Sequence, residues 1–474
     1  MQRNPWSTLA VLAFAQFMVV LDVTIVNVAL PDIQGDLSFS ASGLQWVISA
    51  YTLLFGGFLL LGGRAADLLG RRRLFIAGLA LFAVTSLIAG LAQNPEQLVV
   101  MRALQGLGAA LMSPAAFAIL TVTYHGRDRN IAMGVWGGLA GLGGTLGVIA
   151  GGLLVDSLSW RWVFLVNVPI AVALAAMIPL FVRESRVAIS GPRTFDLAGA
   201  LLSTAGLLAI VLGVIRAEPL GWSSPEVLAL LIGGLVLLAA FVRVEARSAA
   251  PLVPLSLFRS RGLSTSILAL ALNGAAFLAM FFLTAIFLQQ VRGLTALETG
   301  LQFLPMGIAA IASAVVASQL VTRYGTKPVQ VGGAVLSVAG LLLLSQADAT
   351  GSYALTILPG LVLFGVGIIA VGTPASIAAV AEVSHDQAGA ASGVVNAGYQ
   401  VGGALGLAVI TTLATTHVEG LLAGGAGQQE ALVGGFERGL LIAAVFAAAN
   451  IVTALGAPRL RPTSEQMAEA AVAA

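Results

Sequence analysis

The 474-residue sequence contains no cysteine and only three histidines, and charged residues make up 9% of it. The absence of cysteine excludes disulfide bonds, thiolate chemistry and cysteine-rich metal sites. The histidines are scattered at His125, His385 and His417, which leaves little for a histidine-based metal site. Soluble globular proteins carry about 25% charged residues, so this composition excludes a water-soluble globular protein.

Apolar residues are abundant instead: hydrophobic residues form 58% of the chain, and the mean hydropathy is +0.98. A helix of about 20 apolar residues crosses the roughly 30 Å hydrocarbon core of a bilayer with its backbone groups hydrogen-bonded. We therefore expect an all-α polytopic membrane protein. Hydropathy windows predict fourteen transmembrane helices at 8–30, 44–62, 74–92, 99–123, 131–155, 162–182, 197–215, 226–242, 263–289, 299–322, 328–346, 354–376, 388–415 and 438–457.

The basic residues predict the orientation of these spans, because cytoplasmic loops are enriched in Lys and Arg. On one side fall 18 of the 23 basic residues, and both termini lie on that side, which we expect to be cytoplasmic. Arg102 alone is predicted inside a span. The net charge of only +2 does not indicate nucleic-acid binding. The arginine-rich composition is typical of a GC-rich bacterium, so we expect a bacterial inner (plasma) membrane. The side opposite the expected cytoplasmic one holds only four basic residues, Arg161, Arg216, Arg292 and Arg438.

Two parts of the chain repeat each other weakly. The loop from Gly63 to Arg72 resembles the segment from Ser318 to Lys327, 255 residues later. Internal repeats around a midplane site are typical of secondary transporters. The repeat predicts two six-helix bundles, residues 1–183 and 263–457, separated by an inserted two-helix hairpin with its linkers, 184–262. The remaining residues, 458–474, are expected to form a cytoplasmic tail.

Five sequence motifs occur in order along the chain. They begin at Leu21 (LDVTIVNVALP), Gly63 (GRAADLLGRR), Arg102 (RALQGLGAA), Trp160 (WRWVFLVNVP) and Ala391 (ASGVVNAGYQVGG). Together they resemble the motifs of the major facilitator superfamily, specifically its fourteen-helix drug:proton antiporter branch. The resemblance runs from about residue 8 to residue 457. It implies the major facilitator fold, with two six-helix bundles plus two inserted helices, and a transporter driven by the proton-motive force.

Asp22 is the only carboxylate well inside a predicted span, about 20 Å from its start. A charged carboxylate there is costly unless it is paired or faces a water-filled cavity. A cavity that is alternately wet and closed could load and release a proton on it. The resemblance implies this role for Asp22 and associates Arg102 with proton coupling. Arg102 does not deprotonate, so it needs an anion or other acceptors, and we expect Asp22 as its partner.

Two alternatives remain open for this pair at this point. Asp22 could be a helix-end residue satisfied by the backbone or by Asn27. Arg102 could extend its side chain to the nearby membrane interface instead of entering the bundle.

The loop after the second span predicts a conformational latch. In the family such a loop holds neighbouring helices together in one state; a carboxylate there could cap a helix N-terminus while arginines pair across the bundle. Leu68 stands where a basic residue is usual, which predicts a looser latch. The alternative is a loop that is basic only because it is cytoplasmic. The latch residues are Gly63, Asp67, Gly70, Arg71 and Arg72.

Glycines recur at spacings of four and five residues in the fifth span, which predicts that one of its faces approaches a neighbouring helix closely. The resemblance assigns Gly143, Gly147, Gly151 and Gly152 to the antiporter motif of the family. Val148 replaces the motif proline, so the proline kink is lost and antiport is less strongly indicated. The thirteenth span has the same kind of glycine spacing, at Gly398, Gly402 and Gly406.

The expected substrate is a small hydrophobic or amphipathic compound, neutral or monocationic, because no second membrane carboxylate is available for a dication. Such compounds require an apolar cavity with few polar groups. The expected partners are this substrate and membrane lipids, with a monomer as the functional unit. No cofactor is expected, and H+ is the coupling ion. The candidate lining residues are Asn27, Gln105, Met112, Asn273, Phe277, Phe281, Gln302, Asn396 and Gln400, with Phe14 and Phe17 as further aromatic candidates.

Drug:H+ antiport by alternating access is the leading hypothesis. An exporter of a lipid or dedicated metabolite, or a substrate:H+ symporter, remains open because one fold serves all of these. A channel is the alternative from another class, and the repeated halves favour alternating access over an open pore. An enzyme is not expected, since HExxH and GxSxG motifs are absent, and the absence of GxxxxGK[ST] disfavours ATP drive.

Overall fold

The structure, a computed structural model, describes residues 5–124, 126–185, 196–248, 251–381, 383 and 388–460. Across these ranges the chain forms fourteen long helices, and a short helix, Trp162–Leu165, precedes the sixth. The helices are α1 Pro5–Leu37, α2 Trp46–Leu69, α3 Arg71–Gly90, α4 Pro95–Thr123, α5 Gly126–Ser157, α6 Asn167–Phe181, α7 Leu197–Leu220, α8 Pro225–Glu245, α9 Arg261–Ile286, α10 Ala296–Tyr324, α11 Thr326–Leu344, α12 Leu358–Ala381, α13 Ala388–Ala423 and α14 Gln428–Gly456.

Each of the fourteen predicted spans coincides with one of these helices, which confirms the predicted fold class. Thirteen helical segments of the described chain are long and apolar enough to cross a membrane. The remaining span corresponds to α5, a helix of 32 residues whose side chains are described only in part.

The predicted start of the last span is later than the start of the helix that contains it. Helix α14 begins at Gln428, ten residues before the predicted span, so Arg438 lies inside the helix, where its side chain is exposed. A hydropathy window begins where the charged residues end, whereas the helix continues through them because its backbone hydrogen bonds do not depend on side-chain polarity.

The helices alternate in direction between two faces of the bundle. We call one the terminal face; it holds the α2–α3 and α10–α11 turns, and there the backbone N–H of Thr326 donates to the carbonyl of Leu460 (2.9 Å). The opposite side is the distal face, which holds the end of α1 and the start of α10.

The repeat seen in the sequence corresponds to a repeat in structure. Gly70, between α2 and α3, has φ of 110°, and Gly325, 255 residues later between α10 and α11, has φ of 90°. Both are backbone conformations that favour glycine. The glycine faces match as well, since Gly147 packs against Thr24 of α1 and Gly402 against Ala271 of α9. The α5–α1 and α13–α9 contacts are therefore equivalent in the two halves.

The two six-helix halves are joined at the distal face. A single hydrophobic cluster there contains Ile25 and Leu30 of α1 together with Met280 and Phe287 from the end of α9 and beyond it. The Asp156 carboxylate accepts hydrogen bonds from the first two backbone N–H groups of α10, of Ala296 (3.2 Å) and Leu297 (3.0 Å). Toward the terminal face, separate clusters lie within the N-terminal half and within the C-terminal half.

The inserted helices α7 and α8 lie beside the seam between the halves. Val211 of α7 packs in one cluster with Leu53 of α2 and Ala404 of α13. The Asp196 side chain accepts from the N–H of Gly199 (2.7 Å) and caps α7. Helix α7 thus contacts both halves at once.

The loop glycines give a test of the fold. We expect Gly70→Ala to lower the free energy of unfolding by about 1–3 kcal/mol, because a side chain is strained at this φ and ψ. Gly63→Ala is the control, seven residues earlier and inside α2: its Cβ would meet only Pro114 Cβ at 3.7 Å, an ordinary contact. Thermal unfolding of the purified variants in detergent measures both stabilities. Equal stability of the two variants would contradict the conclusion that the turn at Gly70 requires glycine.

Candidate functional site

Asp22 lies deep in the bundle, near the middle of the 33-residue helix α1. Its side chain is 0% exposed in this conformation. At 1.5 Å per residue it stands roughly 25 Å from the first residue of the helix. A carboxylate at this depth must find its partners within the protein.

Three side chains donate hydrogen bonds to the Asp22 carboxylate. Arg102 Nη1 lies 2.6 Å from Oδ2, while Gln105 Nε2 (2.7 Å) and Asn167 Nδ2 (2.8 Å) both donate to Oδ1. All four side chains are at most 1% exposed. The expected Asp22–Arg102 contact is therefore confirmed, as a fully buried ion pair.

Both alternatives for this pair are wrong in this structure. The Asn27 amide donates to the carbonyl of Val23 (2.7 Å), one turn earlier in its own helix, and not to Asp22. Arg102 is 1% exposed and points into the bundle, so it does not extend to the membrane interface. A fixed carboxylate within reach is a stronger partner for the guanidinium than an interface.

The Arg102 guanidinium is held from several sides. Its Nε donates to the carbonyl of Val47 (2.9 Å), and its Nη1 donates also to Gln105 Oε1 (2.8 Å). Its Cζ lies 4.4 Å from the ring centroid of Tyr51 and 5.7 Å from that of Phe164. Cation–π contacts combined with several directed hydrogen bonds suit the arginine side chain.

Ser86 supports the site from α3. Its hydroxyl donates to the carbonyl of Phe164 (2.8 Å) and accepts from Gln105 Nε2 (3.2 Å) and Asn167 Nδ2 (3.1 Å). The sequence did not identify Ser86 or Asn167 as site residues. A signal was present for Asn167, a polar residue inside the apolar motif that begins at Trp160.

The residues of the predicted latch lie at the terminal face, and Glu184, which is outside the motif, contacts this region. The Glu184 carboxylate accepts from the backbone N–H groups of Arg72 (3.1 Å) and Arg73 (3.2 Å) at the start of α3, and Arg72 Nη1 donates to the carbonyl of Val182 (3.3 Å). Arg71 donates its N–H to the carbonyl of Ser185. Gly63 lies inside α2 and Gly70 forms the turn. The side chain of Asp67 lies outside the described residues.

The antiporter-motif glycines bring α5 against two neighbours. A Cβ at Gly143 would stand 3.1 Å from Val20, and one at Gly151 would stand 2.8 Å from the carbonyl of Ile25, both in α1. Gly152 faces the backbone of Leu297 in α10. The glycines therefore contact both α1 and the opposite half. The burial and contacts of Gly134 and Gly138, earlier in the same helix, lie outside the described residues.

The nine candidate lining residues do not form a single group. Gln105 belongs to the Asp22 site, and Met112 is buried in the core of the N-terminal half. The Asn273 side chain donates to the carbonyl of Ile368 (3.1 Å), and the backbone carbonyl of Gln302 accepts from the Tyr353 hydroxyl (2.8 Å). Asn396 is exposed and Gln400 partly buried. Of the further aromatic candidates, Phe14 is 57% exposed, and Phe17 packs against the core that the two halves share.

Two of the candidate aromatic residues pack together in the C-terminal half. Phe277 lies 5.9 Å from Phe281 between ring centroids, and Phe281 stacks on Phe303 at 4.3 Å. A cavity of about 110 Å³ opens at the distal face, lined by other residues that include Phe282, Gln290 and Thr411. The aromatic stack and the cavity are therefore separate features.

Comparisons with known proteins address the family. A sequence model of the Major Facilitator Superfamily matches residues 12–407. The chain is 40% identical to the puromycin resistance protein pur8 of Streptomyces alboniger over 449 residues, 94% of this chain and 88% of the relative. It is 40% identical to the cephamycin export protein CmcT of Amycolatopsis lactamdurans over 416 residues, 86% of this chain and 84% of the relative.

Similar solved structures support the same architecture. A bacterial homologue of the human lysosomal transporter Spinster, in an inward-facing, unoccupied conformation, has a TM-score of 0.65 at 16% identity and covers 100% of this chain and 98% of its own. The nucleoside transporter NupG has a TM-score of 0.67 at 13% identity, covering 95% and 99%. At these identities the likeness concerns the fold alone.

The buried ion pair gives a stability test. We expect Arg102→Met to lower the free energy of unfolding by about 3–5 kcal/mol, because Asp22 is left charged and unpaired. Arg216→Met, which breaks an exposed pair with Glu226, is the matched control and should cost at most about 1 kcal/mol. If unfolding experiments give similar losses of free energy for the two variants, the buried ion pair matters no more for stability than the exposed one, which would contradict this expectation.

Proposed function

This chain belongs to the major facilitator superfamily, and we propose that it exports small hydrophobic or amphipathic drugs in exchange for protons. It is a multi-pass membrane transporter, not an enzyme. Relatives named for antibiotic resistance and export align over most of their own length as well as most of this chain. Export of drugs or toxic compounds is the function that these relatives support for this chain.

The Asp22 site supports protons as the coupling ion. Asp22 is a titratable group at mid-helix depth, and its partner Arg102 stays charged. When Asp22 takes up a proton, the ion pair is replaced by a neutral acid next to an uncompensated cation. The conformation that keeps Arg102 buried beside neutral Asp22 then becomes less favourable, relative to other conformations, than it was with the ion pair intact. This dependence of conformation on protonation is what coupling requires.

Closure of the distal face supports alternating access. Besides the Asp156 contact, Gln289 Nε2 donates to the carbonyl of Val28 (2.9 Å), and Gln290 Nε2 donates to Gln34 Oε1 (2.8 Å). These side-chain hydrogen bonds join the two halves. They can open without breaking the backbone hydrogen bonds of any helix. Opening the distal face would separate these pairs while each half keeps its own core.

The direction of transport follows from the proposed orientation. We assign the terminal face to the cytoplasm of a bacterial inner membrane, because most basic residues lie on that side. A proton entering from the distal side would favour one state, and drug binding from the cytoplasm or the membrane would favour proton release inward. A proton moving down 100 mV supplies about 2.3 kcal/mol.

The predicted substrate residues stay candidates in this proposal. In the C-terminal half, Phe277 and Phe281 offer apolar contacts. Gln302, Asn396 and Gln400 add a few polar groups, as an amphipathic drug requires. We propose a monomer as the functional unit, surrounded by lipid and with no cofactor other than H+.

The decisive experiment compares Asp22→Asn with the wild type in proteoliposomes that carry a pH gradient and a fluorescent drug. We expect gradient-driven export to be lost, because asparagine cannot carry a proton. Glu226→Gln is the matched control, since it removes an exposed carboxylate that pairs with Arg216. It should export at the wild-type rate.

Exchange of labelled for unlabelled drug, measured without a gradient, shows whether the variant still binds and moves substrate. We expect Asp22→Asn to retain this exchange. Wild-type gradient-driven export by Asp22→Asn would remove Asp22 from the coupling mechanism.

A further inference from the structure

We propose that Asn167 is a positioning residue for the coupling proton, which donates a hydrogen bond to charged Asp22 and accepts one from protonated Asp22. The inference rests on the proposed proton-carrying role of Asp22. It adds a residue, supplied by α6, whose hydrogen bond changes direction when the proton binds.

Asn167 meets Asp22 with one end of its amide only. Its Nδ2 lies 2.8 Å from Asp22 Oδ1 and 3.1 Å from Ser86 Oγ. Its Oδ1 is buried and has no hydrogen-bond partner. A buried amide oxygen without a partner is unfavourable, so a site that keeps one calls for an explanation.

The second amide of the site cannot serve in the same way. Gln105 uses both of its ends, since Nε2 donates to Asp22 (2.7 Å) and Oε1 accepts from Arg102 (2.8 Å). Reversing the Gln105 amide would turn an N–H group toward the Arg102 guanidinium, donor against donor. Arg102 therefore fixes Gln105 as a donor toward Asp22.

Protonation creates a conflict that only Asn167 can resolve. With a proton on Asp22 Oδ1, the new O–H would face the N–H groups of both Gln105 and Asn167. A half-turn of the Asn167 amide brings its unpartnered Oδ1 to the carboxyl, where it can accept the new hydrogen. The NH₂ and oxygen ends of an amide have nearly the same shape, so the half-turn requires little repacking.

The inference is tested by titrating Asp22 directly. The infrared band of its protonated carboxyl, identified by its loss in Asp22→Asn, is followed against pH in the purified full-length transporter. The titration midpoint of wild type is compared with those of Asn167→Leu and Asn167→Asp. The matched control is Asn450→Leu, which removes a buried asparagine of α14 that bonds within its own helix to Thr453.

We expect Asn167→Leu to raise the midpoint by about one pH unit, a tenfold change in proton concentration. The hydrogen bond to charged Asp22 is lost, and it is stronger than the one to the neutral acid. Asn167→Asp should raise the midpoint further, because an added carboxylate repels charged Asp22 yet accepts a hydrogen bond from the protonated form. Asn450→Leu should leave the midpoint unchanged.

Wild-type midpoints in both Asn167 variants would overturn the inference, and a smaller shift for Asn167→Asp than for Asn167→Leu would overturn the acceptor role. Because Asn167→Asp is nearly isosteric, it tests the idea even if Asn167→Leu does not fold. Failure of the proposed function looks different: gradient-driven export would then survive in Asp22→Asn, whatever the Asn167 variants do to the titration.

Discussion

The buried ion pair between Asp22 and Arg102 constrains the N-terminal half more tightly than any exposed contact, because neither charge can be left alone away from water. Helices α1 and α4 supply the charges, and α2, α3 and α6 supply the carbonyl of Val47, Ser86 and Asn167. Relative movement of these helices breaks bonds to a charge. Those hydrogen bonds stabilise the charged form of Asp22, and protonation removes that charge. The positions of the helices and the charge on Asp22 are therefore linked through one set of hydrogen bonds.

The two halves share a scaffold and differ in chemistry. Gly70 and Gly325 form equivalent turns, and the glycines of α5 and α13 bring those helices against α1 and α9. At the position 255 residues after Asp22, the C-terminal half has Phe277, which packs near the Phe281–Phe303 stack. Under the proposed function, the charged half carries the proton and the aromatic half offers an apolar surface to the substrate, while contacts at the distal face couple the two.

Much of this arrangement could be predicted from the sequence, because it depends on local pattern. The lengths of the apolar runs predict the fourteen helices. Because charged residues are scarce inside the spans, Asp22 and Arg102 are predicted to pair. What could not be predicted depends on contacts between distant parts of the chain. The Glu184 carboxylate accepts a hydrogen bond from the N–H of Arg72, 112 residues away, and Asp156 accepts one from the N–H of Ala296, 140 residues away. The helix boundary at Gln428 was missed because hydropathy does not report where a polar helix turn begins. The nine candidate lining residues were chosen by type, and residue type does not determine which cavity a side chain faces.

The central claim is that Asp22 exchanges its proton for drug. Its most direct test is the number of protons released when drug binds to the purified transporter in weakly buffered solution, followed with a pH indicator. The account predicts release of about one proton per bound drug by the wild-type chain, over a limited pH range, and none by a chain with asparagine at position 22 that still binds the drug. Equal release by both proteins, or none by the wild type at any pH where drug binds, would contradict it.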